Sequence, residues 1–543
     1  MLDNCIIVNV NCREEKANKK SYISDINIFL TIFAPHKGEK VLIKMSNLKS
    51  LFKDTVIYGM SSILGRFLNY LLVPIYTHKM AASSGDYGVI TNVYAYTALL
   101  LVILTFGMET TFFRYVNKSE KPMQVYSTVL IMVGTVCALF AASTFAFIHP
   151  LAAFMGYTDH PEYVWTMFLC VSIDSFQCIP FAYLRYKHRP IKFASLKVLF
   201  IAMNVILNLV YFILIPVMYN HHIAYGFISL FYHGTVSVAY AFYINLFCTF
   251  SVTFFMRKEL TGFKYVFDKH LARQMWHYSW PILILGIAGI LNQTADKIIF
   301  PFVSTHVGKE INVQLGIYGA CVKIAMIMTL ITQAFRYAYE PFVFGNSKDK
   351  DSKETYAAAM KYFIIFTLFA FLIVMGYMDI LKRLIIARDY WAGLKVTPIV
   401  MVAGILLGIY FNLSLWYKLV DKTIYGMWFS LIGCISLIAV NVIFIPRFSY
   451  MACAWGGVVG YGIATILSYF VGQKYFPINY PLKDIAKYAL LTAILYIAIT
   501  KVPDHWNLWV KVGIKTCILL VYLAYTVKKD VPSFLSKKKA TSN

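Results

Sequence analysis

The sequence predicts an all-α polytopic membrane protein of about fourteen transmembrane helices, built as two six-helix pseudo-symmetric lobes plus two C-terminal helices. Three observations predict it. Hydrophobic residues make up 59% of the 543 and charged residues only 14%, against about 25% charged in a soluble domain. From Asp54 onward, apolar runs of about 18 to 25 residues alternate with short polar loops, and that length matches a bilayer-crossing helix. Several short motifs also recur about 231 residues apart, dividing the chain into two copies of one unit.

Residues 1–44 are a different kind of sequence. They hold CREEKANKK and one apolar piece, YISDINIFLTIFA, which is too short to span a bilayer. A signal peptide has a basic start followed at once by an apolar core, and Asp3 followed by Arg13 to Lys20 does not fit that pattern. MSNLKSLFKDTVIYG, from Met45, reads as a protein start. Residues 1–44 are therefore expected to be a non-core cytoplasmic extension, either dispensable or preceding the true initiator at Met45.

The N-lobe, 45–257, is expected to hold spans near 54–77, 88–112, 125–148, 162–184, 193–217 and 224–256. A linker at 258–275 leads to the C-lobe, 276–472. Its spans lie near 276–303, 316–340, 359–380, 393–416, 424–445 and 451–471. Residues 473–543 add spans near 484–502 and 508–526 and a basic cytoplasmic tail.

Loop charge sets the expected orientation. One set of loops is basic, with RYVNKSEK, LRYKHRPIKFASLK, RKELTGFKYVFDKHLARQ and the tail among them; the alternating set is nearly free of Lys and Arg. The totals are roughly 29 against 8, and only DILKRLIIARDY, with Lys382, Arg383 and Arg388, dissents. Basic loops stay inside, so both termini are expected in the cytoplasm. The net charge of +24 is then this bias, and nucleic acid drops out as a partner. Eight of the ten cysteines lie in apolar runs with no C-x-x-C pair, so they read as small buried hydrophobes, not a metal site or a disulfide framework.

The repeat rests on corresponding landmarks. LRYK, ending at Lys187, recurs as LWYK, ending at Lys418, and Tyr87-Gly88 recurs as Tyr318-Gly319, both 231 residues on. Ile-Pro at Pro216, with Gly226 after it, recurs 230 residues on at Pro446 and Gly456; Thr-His at His78 recurs 228 on at His306. Six helices per copy is an even number, so both copies enter the membrane the same way. A pseudo-two-fold axis then runs along the membrane normal, with the substrate path between the lobes.

Arg66 lies near the centre of the first run, where an arginine costs about 3 kcal/mol on the translocon scale. The repeat maps it onto the Gln293–Lys297 turn of LNQTADKIIF, so each lobe's first helix carries a polar or cationic station. Two readings stand. Arg66 pairs with an acid such as Asp174 or snorkels, while Lys297 pairs with Asp296 or reaches an interface; or both line a wet cavity that receives an anion. On the second reading Arg66, Lys297, Lys323 and Arg336 are the cavity cations, and Gln293 and Gln333 its polar lining. Glu109 and Glu340 are themselves 231 apart. They are candidates for a cytoplasmic gate, with interfacial carboxylates as the alternative. Arg336 and Glu340, at i, i+4, are expected to pair. Asp174 and Asp296 complete the gate or ion-coupling candidates, and structural pairing is an equal reading of Asp174; His233 is a weaker candidate.

No H-E-x-x-H, P-loop, G-x-S-x-G or acidic D-x-D pair lies on an extramembrane loop, and no loop exceeds about 20 residues. These absences argue against an enzyme or an ATP-driven pump. No cofactor or metal is expected; the coupling ion, H+ or Na+, stays open, as does whether transport is coupled at all.

MSNLKSLFKDTVIYGMSSILGRFLNYLLVPIYT with its following DYG, HYSWPILILGIAGILNQTADKIIF with LGIYGACVKIA, and the Asn-bearing MNVILNLVYFILIP and AVNVIFIP carry a family resemblance. Over about residues 46–526 the chain resembles polysaccharide repeat-unit flippases of the Wzx type, within the multidrug/oligosaccharidyl-lipid/polysaccharide exporter superfamily. The resemblance implies two lobes forming a V around a central cavity and working by alternating access. It implies a substrate of undecaprenyl-pyrophosphate-linked oligosaccharide, turned from the cytoplasmic to the periplasmic leaflet of a bacterial inner membrane. Membrane lipids, a polysaccharide polymerase and chain-length machinery are the implied partners. Related lipid II flippases use cavity arginines on their first helix, and only Arg66 carries over by position. The chain departs from the family pattern in placing Asn208 eight residues before Pro216 but Asn441 five before Pro446, and in its 44-residue extension. Two rivals remain. A membrane polymerase or lipid-dependent glycosyltransferase needs larger outer loops, and a drug or cation exporter of the same fold favours acidic cavity residues.

Overall fold

The computed structural model describes residues 70–345, 352–420, 422–503 and 505–540, without the side chains of 337, 338, 340–345, 352 and 531–540. The extension, the Met45 start and Arg66 lie outside them. All regular structure among the described residues is helical. Twelve helices there are long and apolar enough to cross a membrane. The first expected span lies mostly outside the described residues. The thirteenth, Leu482–Thr500, forms a helix of 19 residues with Lys483, Asp484 and Lys487 in its first two turns.

The N-lobe begins with α1 (70–79). It continues through α2 (Asp86–Thr105), α3 (Met108–Val116), α4 (Pro122–Ala146), α5 (Pro161–Tyr186), α6 (Pro190–Leu209) and α7 (Val238–Phe255). Prolines at the start of α4, α5 and α6 use a position whose amide has no helical partner. Between α2 and α3 the chain breaks where Phe106 and Gly107 both take left-handed φ, 32° and 72°. The sixth span starts later than the sequence suggests. Residues 229–237 are irregular and hold His233 at the surface, and α7 begins where Ser237 caps the Ala239 amide at 3.3 Å.

α8 (Lys269–Val303) joins the lobes, so the last part of the expected linker is helical from Lys269. Asp268 caps it, accepting from the His270 and Leu271 amides at 2.9 and 3.0 Å. Its first half leans on the N-lobe, with Trp276 against Phe106 at 5.4 Å; its second half packs on α12 (Ile424–Phe448). The C-lobe is completed by α9 (Lys309–Gly345), α10 (Ser352–Gly376), α11 (Thr397–Leu413) and α13 (Tyr450–Tyr475). Pro180, Pro281, Pro301 and Pro446 all sit inside continuous helices, a tolerance that neighbouring helices provide in membranes.

The two copies of the repeat meet through their second helices. α2 packs on α9, and the contact is built from glycines. A Cβ on Gly88 would collide with the Asn312 carbonyl, one on Gly316 would meet the Gly88 amide at 2.9 Å, and one on Gly319 would collide with Thr91. Gly88 and Gly319 are the repeat landmarks, so repeat-equivalent helices cross at one point. The same end is closed by Tyr390, whose hydroxyl donates to the Met80 carbonyl at 2.8 Å, and by the Ala387 amide, which donates to Thr77 at 3.3 Å. Another landmark pair is unequal in its surroundings: Gly456 packs on Asn441, whereas Gly226 has open space around it.

α14 (Leu482–Thr500) and α15 (Leu508–Ala540) dock on α10. Ion pairs hold both ends. At one, Lys361 pairs with Asp530 and lies 3.6 Å from Asp484, and Lys529 reaches Asp484 at 2.7 Å. At the other, buried Asp379 accepts Lys382 and Lys515 at 2.8 Å each, with Lys511 at 3.5 Å. Burial pushes the Asp379 carboxyl up, but hydrogen bonds from Lys382 and Lys515 and their charges outweigh it and hold it well below the usual carboxylate range.

Two outcomes are expected. Gly88→Ala, which must push α2 off α9, destabilises the purified protein by about 2 kcal/mol, read as a lower thermal midpoint in detergent; Gly226→Ala leaves the midpoint unchanged. Asp379→Asn costs about 3 kcal/mol by breaking a buried ion pair. Because the folded carboxyl is depressed, its contribution is complete above the ordinary carboxylate value near pH 4 and fades only as pH falls below it. The gap between wild type and Asp379→Asn should thus hold constant from about pH 7 to pH 5.

Candidate functional site

Polar side chains cluster at two stations, one in each lobe. The C-lobe station lies on α8 and α9, whose apolar runs leave few polar positions. Gln293 is exposed and Asp296 is buried at 8% exposure. Both Asp296 carboxylate oxygens accept from Lys297 Nζ at 2.9 Å, and the Tyr318 hydroxyl donates to Oδ2 at 2.6 Å. The ammonium also reaches the Gln293 carbonyl at 3.3 Å and stands 5.4 Å from the Tyr318 ring centre. Neighbouring residues on a helix do not face each other, so the long lysine stem bends back to reach Asp296.

Lys323 follows Tyr318 by five residues on α9, a rise of about 7.5 Å. It makes no hydrogen bond or ion pair with a described residue, and the charge that bears on it is that of Lys297. Asp296 is paired with Lys297 alone, and the Lys323 ammonium is near enough to feel the Lys297 charge. The station is tied to the other lobe, because buried Asn92 of α2 donates to the Lys297 carbonyl at 2.9 Å and accepts from the Tyr157 hydroxyl at 2.9 Å. It lies close behind the glycine contact that closes that end.

Arg336 is elsewhere. It stands thirteen residues past Lys323, a rise of about 20 Å along α9, with its guanidinium 4.7 Å over the Phe411 ring. Gln333, one turn before it, has a buried Oε1 with no partner among the described residues. The Arg336–Glu340 pair falls outside the described residues, as does the Glu340 side chain. The candidates thus divide into Gln293, Asp296, Lys297 and Lys323 at one level and Gln333 and Arg336 at another.

The N-lobe station was only half legible. Glu109 of α3 pairs with Arg185 of α5 and accepts from Cys178 Sγ at 3.1 Å. Asp174 lies one turn before Cys178, and the cation bearing on it is Lys197 of α6, which stacks 3.9 Å over Phe181. Two acids and two bases balance here. Sequence reasoning counted Arg185 and Lys197 as loop charges. The signal for Lys197 is its place seven residues past Pro190, two turns inside α6. Among the described residues no group of three or more His, Cys, Asp or Glu could hold a metal ion.

Residues 51–344 match the model of a family described as polysaccharide biosynthesis protein. That is more than half of the sequence, and the chain belongs to this family. Among curated proteins none matches it by sequence. Among solved structures it resembles the lipid II flippase MurJ in an inward closed conformation, at 14% identity and TM-score 0.61, covering 88% of this chain and all of that one. It also resembles an inward-facing multidrug resistance MATE family transporter of the MOP superfamily, at 13% identity and TM-score 0.59, covering 80% and 96%. A third is MATE in the straight conformation, at 15% and 0.55, covering 81% and 97%. At these identities the likeness is one of fold.

The N-lobe charges should behave as a coupled set. Lys197→Met and Asp174→Asn each lower the thermal midpoint, and the double variant recovers part of the loss, with a coupling energy of about 1–3 kcal/mol in a double-mutant cycle.

Proposed function

We propose that this member of the polysaccharide biosynthesis protein family turns lipid-linked oligosaccharide repeat units from the cytoplasmic to the periplasmic leaflet by alternating access, for surface polysaccharide assembly. The observation that carries the reading is the pair Lys297 and Lys323, two cations near enough for their charges to interact, of which only Lys297 is paired with an acid. A charge so deep in a helical membrane protein marks a substrate or ion path by default. The carrier is undecaprenyl pyrophosphate. Its diphosphate bears at least two negative charges and a tight hydration shell, and fixed ammonium groups replace part of that shell while the prenyl chain stays in lipid.

Loop charge puts the closed glycine contact on the periplasmic side, so the lobes as described would receive substrate from the cytoplasm. α8, which leans on one lobe with its first half and on the other with its second, is the strut about which they would rock. Release requires the cations to bind less well in the other arrangement, since only differential affinity moves the equilibrium. Arg66 joins the cation set by its place in the sequence. The balanced N-lobe set, Glu109, Arg185, Asp174 and Lys197, is the place for a coupling ion, H+ or Na+. The setting is the bacterial inner membrane with both termini cytoplasmic, next to a polymerase and chain-length machinery, and the chain itself performs no catalysis.

The test deletes the gene and measures the sidedness of lipid-linked oligosaccharide in the inner membrane. Complete units are expected to accumulate on the cytoplasmic leaflet. Lys323→Gln and Arg66→Ala, at normal protein levels, should restore flipping at least about tenfold less well than wild type, the scale of one lost charge-assisted contact. Units that reach the periplasm normally would end the flippase reading. If they then stay unpolymerised the chain is a polymerase; if the surface polymer is unchanged it is an exporter of other cargo.

A further inference from the structure

Asp296 is placed as no cavity lining requires. Its carboxylate grips, with both oxygens, the ammonium that the proposed substrate needs. We propose that Asp296 is a built-in stand-in for the substrate's diphosphate: it holds Lys297 while the site is empty and gives it up when the phosphates arrive. The proposal rests on the flippase reading given above.

The geometry carries it in three steps. Lys297 reaches Asp296 only by folding back along its own helix, because adjacent side chains diverge; a turn of the four-carbon stem releases it without moving the backbone. Asp296 loses one partner on release but keeps another, the Tyr318 hydroxyl at 2.6 Å. Its burial is therefore not left wholly uncompensated, which would otherwise oppose release. Lys323 is near enough to Lys297 for that charge to bear on it and makes no ion pair with a described acid. A diphosphate bridging Lys297 and Lys323 matches two charges with two.

The stand-in also accounts for the reverse step. Once the lobes rock, Asp296 competes for Lys297 and helps expel the carrier. The Lys297 carbonyl is itself the acceptor of Asn92 from the other lobe, so the turn that presents the ammonium is fixed only while this end is closed. Opening it frees the turn at the moment when Asp296 must recapture the lysine. Asp296 is in this sense a positioning residue that sets both affinity and release.

Binding of undecaprenyl diphosphate to the full-length protein in lipid nanodiscs tests the idea, with inorganic pyrophosphate as a second probe. Asp296→Asn keeps the shape and the acceptor for Tyr318 but removes the competing charge. It should bind undecaprenyl diphosphate about tenfold more tightly and flip it more slowly. Lys297→Gln should bind more weakly, and Asp296→Asn/Lys297→Gln should show no gain over Lys297→Gln alone. Tyr318→Phe, which removes the hydroxyl that holds the displaced carboxylate, should weaken binding, and it serves where Asp296→Asn does not fold. Tighter binding of both probes assigns the gain to the diphosphate itself; tighter binding of the lipid alone shows that the prenyl chain is needed to bring it there. If wild type binds and Asp296→Asn or Tyr318→Phe binds no differently, the stand-in is refuted while the substrate reading survives. If neither wild type nor variant binds either probe, the substrate reading falls first.

Discussion

A charge inside a helical membrane protein has no bulk water to return to, and much of this structure follows from that constraint. Placing a lone lysine or aspartate at bilayer depth is costly by any scale. The chain meets the cost by pairing. Glu109 takes Arg185, Asp296 takes Lys297, and between two spans buried Asp379 is likewise shared by three lysines. The first and the last of these join different helices. The ionic contacts therefore fix which helices are neighbours, while the apolar residues, which lipid would solvate equally well, do not.

Close approach is the second determinant. With no hydrophobic drive to bring helices together in lipid, van der Waals contact needs small residues at the crossing. Gly88, Gly316 and Gly319 provide it where α2 meets α9, and Gly433 and Gly460 do the same where α12 meets α13. The first crossing unites equivalent helices of the two copies, so the pseudo-symmetry inferred from motif spacing has a physical seat. A contact built from glycine backbones also holds without interlocking side chains, which suits a surface that must part and re-form.

The helices were legible because they depend on composition and period, which are properties of the local sequence; of the eight described cysteines, expected to be buried, six are, while Cys178 is half-buried and Cys517 exposed. The partners of charged residues were not, because a partner is a tertiary fact. Arg185 and Lys197 read as cytoplasmic loop charge until α5 and α6 set them beside Glu109 and Asp174. Lys382 remains a departure from the charge rule, which acids scarcely affect; what the sequence did not show is that it pairs with Asp379 three residues away. The start of the sixth span was misplaced because residues 224–237 are apolar enough to resemble one helix, yet after the single turn Tyr225–Ile228 they run irregularly around Gly234, at φ 86°. The candidate site was legible at one contact, the pairing of Lys297 with Asp296, which was one of two readings of that lysine. Its division into two levels along α9 was not, because i, i+3 and i+4 counting keeps track of a helix's face and not of the depth at which a side chain finds its partner.

The two stations differ in a way that repetition alone does not explain. Glu109 with Arg185, and Asp174 with Lys197, sum to zero; Lys297 and Lys323 with Asp296 sum to plus one. A balanced set can exchange a small cation or proton without large electrostatic penalty, since each state keeps every charge near an opposite one. An unbalanced set attracts an anion and would be costly if left empty. The odd charge falls on the lobe whose second helix carries both Tyr318 and Lys323. Under the flippase proposal that asymmetry would divide the work, with one lobe holding an anion at the interface and the other sensing whatever drives the rocking.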